Sequence, residues 1–143
     1  MAKLTNVWKL GIIIAMVGSL LMAACSSGSS GSKTVTVNLT LSEFKIDSSL
    51  TTFTQGVTYH FVVKNTGVAN HELYIMPVMA GDMTDQAAKD AALAGLAASD
   101  LPAGTTKSFD YTFTKAYPAG ALELACHVAG HYDSGMHTPI TVN

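Results

Sequence analysis

Apolar side chains fall at every second position over most of the chain after residue 33, and this alternation is what most restricts its fold. Val35, Val37, Leu39 and Leu41 share one parity, with threonines and Asn38 between them. A strand sends successive side chains to opposite faces, whereas a helix would need apolar residues three and four apart. The spacing therefore predicts a half-buried strand, and Phe44 and Ile46 continue it. Val57, Tyr59, Phe61 and Val63 predict a second strand, closed by the turn residues Asn65-Thr66-Gly67. Phe109, Tyr111 and Phe113 predict a third, Leu122, Leu124 and Cys126 a fourth, and Ile140 to Val142 the last. Short alternating strands separated by turn residues predict an all-β chain, a β-sandwich. One segment departs from the pattern. Residues 82–99 are alanine-rich, with Leu93 and Leu96, and predict one short helical insert with Asp82 as its N-cap and Pro102 beyond its end.

The first 25 residues have a different character. Lys3 and Lys9 precede a 15-residue run, Leu10 to Ala24, that carries no charge. A spanning helix needs about 20 apolar residues, and a shorter run behind lysines reads as a signal peptide. Leu21-Met22-Ala23-Ala24-Cys25 resembles the lipobox of bacterial lipoproteins, although Met22 replaces the usual leucine. The resemblance implies that Cys25 is lipidated and that the chain is exported. The protein is then anchored through that lipid to the outer face of the cell membrane or in the periplasm. Residues 26–32 contain only serine and glycine, a flexible tether with a reach of roughly 15 Å. Residues 33–143 form the single folded domain, a normal size for one.

Charge narrows the partners. The 143-residue chain has no arginine, and after the leader six lysines face ten acidic residues, a net charge of −4. Binding a phosphate backbone needs clustered positive charge, so no nucleic-acid partner is expected.

The chemistry lies near the C-terminus. Cys25 and Cys126 are the two cysteines of the chain. With Cys25 lipidated, Cys126 has no thiol partner, and a lone exported thiol needs burial or a bound ion. Cys126, His131 and Met136 follow one another at intervals of five, and His71 lies upstream just after Asn70. Two imidazoles, one thiolate and a weak axial thioether are the donors of a blue-copper (type 1) electron-transfer site. The soft sulfur donors favour Cu(I) and the imidazoles suit Cu(II). Cys126 ends an expected strand, and bends at Ala129-Gly130 and Ser134-Gly135 would turn His131 and Met136 back toward it. One copper ion per chain is expected.

These residues resemble the cupredoxins, the plastocyanin- and azurin-like small blue-copper proteins. The likeness rests on Cys126-x4-His131-x4-Met136 with His71 upstream. It extends to Glu43-Phe44-Lys45-Ile46-Asp47, Gln55-Gly56-Val57 and Lys64-Asn65-Thr66-Gly67. It covers about residues 35–142. The resemblance implies a Greek-key β-sandwich, outer-sphere electron transfer with redox-protein partners, and His131 as the electron port. Two features depart from the pattern. Glu72 follows His71 where many members have asparagine, and the helical insert is absent from the smallest members.

Other residues read more plainly. His60 opposes the apolar parity of its strand and is expected to be an exposed or satisfied strand histidine. His127, beside Cys126, is expected to point outward to the surface, and His137 to lie near the ligand loop without joining it. Met76 and Met79 are expected to be core or loop filler, with Met76 a possible lining of the site. The competing function is copper storage or delivery with the same ligands. An enzyme is not expected, nor a small-molecule substrate. A second cysteine for a dinuclear copper centre, a Cys-x-x-Cys-His haem motif and a Gly-x-Ser-x-Gly elbow are all missing. A zinc site from His127, His131, His137 and Asp133 would leave Cys126 and Met136 without roles.

Overall fold

The computed structural model describes residues 34–79, 81 and 83–143, so the leader, Cys25 and the serine-glycine tether lie outside the described residues. Two sheets face each other. The first has four strands: β1 (Val35–Ser42), β2 (Lys45–Ser48), β4 (Thr58–Asn65) and β7 (Thr106–Thr112), in the order β2-β1-β4-β7. The second has β3 (Thr52–Phe53), β5 (Leu73–Pro77), β6 (Ala94–Leu96), β8 (Tyr117–Ala125) and β9 (His137–Val142), in the order β3-β9-β8-β5-β6. The chain passes from β4 to β5 and from β7 to β8 between sheets, giving the Greek-key sandwich that the resemblance implied.

The alternation does what a period of two requires. In β1 the residues Val37, Leu39 and Leu41 are buried and their neighbours face out. In β4, Tyr59, Phe61 and Val63 are buried in the same way. They meet Leu73, Ile75, Leu122, Leu124, Ile140 and Val142 from the other sheet, with Phe53 and Phe113 between. Burying an aliphatic or aromatic side chain contributes about 1.5–3 kcal/mol, so this interior supplies the main force for closing the sandwich.

The insert is shorter than expected. Helix α1 runs over Asp85–Ala91, and Thr84 is its N-cap, its hydroxyl oxygen accepting from the Ala87 amide at 3.2 Å. After Ala92 the chain leaves the helix and Ala94–Leu96 pairs with β5 as edge strand β6. That pairing satisfies backbone groups on β5 while Leu93 and Leu96 pack against the main core, which a continued helix would not allow. Besides β6, two further strands were not expected, the short β3 and β5, which is buried at all but its last residue, Pro77. Around α1 a second, smaller core forms from Tyr74, Met76, Ala88, Ala125 and Tyr132. Strand parity places it on the outer face of the second sheet, since Leu73 and Ile75 between these residues belong to the main core. Among the described residues no helix is long and apolar enough to cross a membrane.

Candidate metal centre

Three of the four expected ligands come together. One donor atom each from His71, Cys126 and His131 lies within 4.8 Å of the others. His71 Nδ1 stands 3.2 Å from His131 Nδ1, and Cys126 Sγ stands 3.5 Å from His131 Nδ1. His71 and Cys126 are fully buried and His131 is partly exposed.

His71, Cys126 and Met136 are each delivered next to a strand end, and His131 by the loop between β8 and β9. Asn65, the last residue of β4, is buried and folds the following loop around its side chain. Its Nδ2 donates to the carbonyls of Ala69 at 2.8 Å and Leu101 at 2.9 Å, and its Oδ1 accepts from the Gly67 amide at 2.9 Å. The His71 amide donates to the Leu101 carbonyl as well, at 3.2 Å, which sets the imidazole at the start of β5. Cys126 follows β8 directly and Met136 precedes β9 directly. The bends expected at Gly130 and Gly135 are present, both at positive φ (80° and 97°), where a residue without Cβ is unstrained. The Cys126 amide donates to the Met136 carbonyl at 3.1 Å, and the Met136 amide to the His131 carbonyl at 3.0 Å. Met136 is fully buried within the main core beside Cys126.

The electrostatics suit a metal better than free side chains. Burial pushes the Cys126 thiol up to about 11, even though the Glu72 amide donates to Sγ at 3.5 Å. Burial also lowers His71, as does His131 beside it, so its imidazole is neutral near pH 7. Two imidazole nitrogens and a sulfur facing one another away from water have lone pairs to offer and little to receive them. A mixed set of two imidazoles and one thiol, with a buried thioether alongside, fits a copper ion.

The residues that follow the ligands are a surprise. Continuing the β5–β8 register past the strand ends sets Glu72 opposite His127. The Glu72 carboxylate accepts the His127 amide hydrogen at 2.7 Å, so here the carboxylate makes a tie between the ligand loops. His127 does point away from Cys126, but the surface position expected for it is wrong. It is fully buried, because α1 and the ligand loop cover that face of the sheet. Its ring stacks on Tyr132 at 4.4 Å and 11°, and Tyr132 stacks in turn on half-exposed His137 at 4.5 Å and 18°. The Tyr132 hydroxyl donates to buried Glu123 at 2.9 Å, which also lies 3.3 Å from His137 Nδ1. Met76 belongs to this outer cluster and not to the ligand cluster. His60 pairs with Asp110 at 2.6 Å on the outer face of the first sheet.

No protein-family model matches the sequence, and no curated protein is similar to it. Solved structures are similar in fold. Reduced auracyanin from Roseiflexus castenholzii is 22% identical with a TM-score of 0.57, over 79% of this chain and 99% of that one. Rusticyanin from Thiobacillus ferrooxidans is 21% identical with a TM-score of 0.61, over 78% of both chains. Auracyanin A from Chloroflexus aurantiacus, described as a "blue" copper protein, is 19% identical with a TM-score of 0.54, over 78% of this chain and all of that one. The chain therefore has the cupredoxin fold that its sequence resembles.

Proposed function

We propose that this chain is a one-electron carrier that holds one copper ion in a blue-copper centre. The observation that carries the reading is the convergence of donor atoms of His71, Cys126 and His131 within 4.8 Å of one another. Met136 would add a thioether donor to the ion, supported by its burial and by the backbone hydrogen bonds that join it to both Cys126 and His131. Bound copper supplies a one-electron couple between Cu(II) and Cu(I).

The protein's own part is to hold the donors still. Cys126 gives up its thiol proton on metal binding, and the Glu72 amide then faces the thiolate. His71 is buried on all sides, whereas His131 is partly exposed, so a redox partner approaches at His131 and the electron crosses there. The exposed apolar ring of Phe44 lies against His131. The leader and its cysteine support a further part of the reading. The chain is exported, and lipid on Cys25 tethers the domain to a membrane surface, where the partners are redox proteins.

The test is the visible spectrum of the purified protein with Cu(II), followed by a reductive titration. An intense charge-transfer band that bleaches and returns, and is missing from Cys126→Ser, is the expected result. Tight Cu(I) binding without any band would move the function to copper storage or delivery.

A further inference from the structure

One turn touches both imidazoles of the centre. β1 ends at Ser42 and β2 begins at Lys45, and these two residues pair, so the turn consists of Glu43 and Phe44. Phe44 is the one non-glycine residue with positive φ (60°) among the described residues. A bulky residue is rarely found in that conformation, which marks the turn as held by its surroundings. Those surroundings are the ligands. The Phe44 ring meets the His131 imidazole edge-on, with centroids 5.5 Å apart and planes at 86°. Glu43 Oε1 stands 4.0 Å from His71 Nε2.

Glu43 is fixed independently of that histidine. Its Oε1 accepts from the Val68 amide at 2.6 Å and from the Ala69 amide at 3.4 Å. The Val68 hydrogen bond holds its carboxyl below the usual carboxylate range, so it is charged at neutral pH. His71 Nε2, for its part, is fully buried and makes no hydrogen bond of its own. Gly67 lies between the two groups. A Cβ there would come within 2.5 Å of Glu43 Oε1 and 2.8 Å of His71 Nε2, so the missing side chain is what lets carboxylate and imidazole approach.

We infer that Glu43 is a positioning residue for the metal. Its carboxylate, 4.0 Å away, favours through its charge the tautomer of His71 with the proton on Nε2, which leaves Nδ1 as the donor to the ion, and sets a negative charge behind that imidazole. The inference rests on the copper reading above and deepens it. A ligating histidine is oriented by what its other nitrogen meets, and a carboxylate there also raises the donor strength of the ring. Most such partners could be neutral carbonyls. A charged one acts more strongly on the oxidised ion than on the reduced ion, because the oxidised ion carries more charge. Glu43 thus favours Cu(II), through a surface group whose effect salt will weaken.

The experiment compares wild type with Glu43→Gln. The amide oxygen of glutamine still accepts from Val68 and Ala69, so the turn is kept while the charge is lost. The expected result at low salt is a rise in reduction potential, equivalent to about a threefold shift of the equilibrium toward Cu(I), that shrinks in high salt. Equal potentials for the two proteins would overturn the inference. If wild type forms no copper-thiolate band, the copper reading itself has failed, and the pairing is then read in metal-free protein by nitrogen-15 NMR of the histidine rings. A His71 ring protonated on Nε2 in wild type, and mixed between tautomers in Glu43→Gln, supports Glu43 as its orienting partner. The same tautomer population in both proteins overturns it.

Discussion

The Glu72 carboxylate accepts the amide hydrogen of His127 at 2.7 Å, and this bond joins the residue after one histidine ligand to the residue after the cysteine. The tie is buried, and the second carboxylate oxygen, Oε2, has no hydrogen bond. Burial therefore raises the Glu72 carboxyl to about 7, with only partial relief from the His127 amide.

That shift gives metal-free protein a pH dependence of known sign. A carboxyl with a folded value above its unfolded value near 4.5 holds its proton while the unfolded chain loses its own. Its contribution to stability is fully present below pH 4.5, declines as pH rises, and is lost by about pH 7. The total is on the order of 3 kcal/mol. Urea unfolding of the metal-free protein between pH 4.5 and 7.5 is expected to show this decline, and Glu72→Gln to flatten it. A Glu72→Gln protein that keeps the full decline would place the titrating group elsewhere.

Metal uptake is expected to release a proton from Cys126. With the thiol raised to about 11 by burial, it is protonated at neutral pH and must lose its proton to bind an ion. Apparent affinity should then rise about tenfold for each pH unit gained near neutrality. Calorimetry in buffers of different ionisation enthalpy measures the count directly. A Cys126→Ser protein should bind far more weakly and without this proton.

Tyr132 is expected to hold the ligand loop from behind. It lies between His131 and Met136 in sequence, and its ring is clamped between His127 and His137. Its hydroxyl lies between Glu123 at 2.9 Å and the Met79 carbonyl at 2.6 Å, sharing its one hydrogen between the two acceptors. Tyr132→Phe keeps the stack and strips buried Glu123 of a donor, a cost of about 1–3 kcal/mol. Tyr132→Leu loses the stack too, and hydrogen exchange across residues 127–135 should speed up in it well beyond the rate in Tyr132→Phe. Equal exchange in the two variants would mean that the rings contribute nothing to loop order.

Strands with one wet face were legible in the sequence, whereas β5, dry on both faces, was not. β1 and β4 alternate cleanly because water lies on one side of them. In β5, Leu73 and Ile75 face the sandwich while Tyr74 and Met76 face α1, so four successive residues are apolar and no period survives. The same layer explains His127. Strand parity gave its direction correctly, but the outward side of that sheet end is covered. Alanine-rich composition could not separate α1 from β6, because the choice depends on an edge of β5 that needs a partner. In the site, spacing brought out Cys126, His131 and Met136, and the need for a second imidazole brought in His71. The roles of Asn65, Glu43 and Phe44 were hidden, since their contacts with the ligand loops follow from sheet register and turn shape. Their stretches carry part of the family likeness, and the glycine at position 67 marks a close approach, but neither says what is approached.

His71 stands at the head of β5 and Cys126 at the foot of β8, more than fifty positions apart in sequence, and only the closed sandwich makes them neighbours. An unfolded chain offers Cys126, His131 and Met136 on one short segment without His71, so the complete donor set exists only in the folded domain. Folding therefore comes first and loading second. The surroundings in which the domain folds then decide which ions compete for the finished site, so the address at which the chain matures acts as part of its metal selectivity.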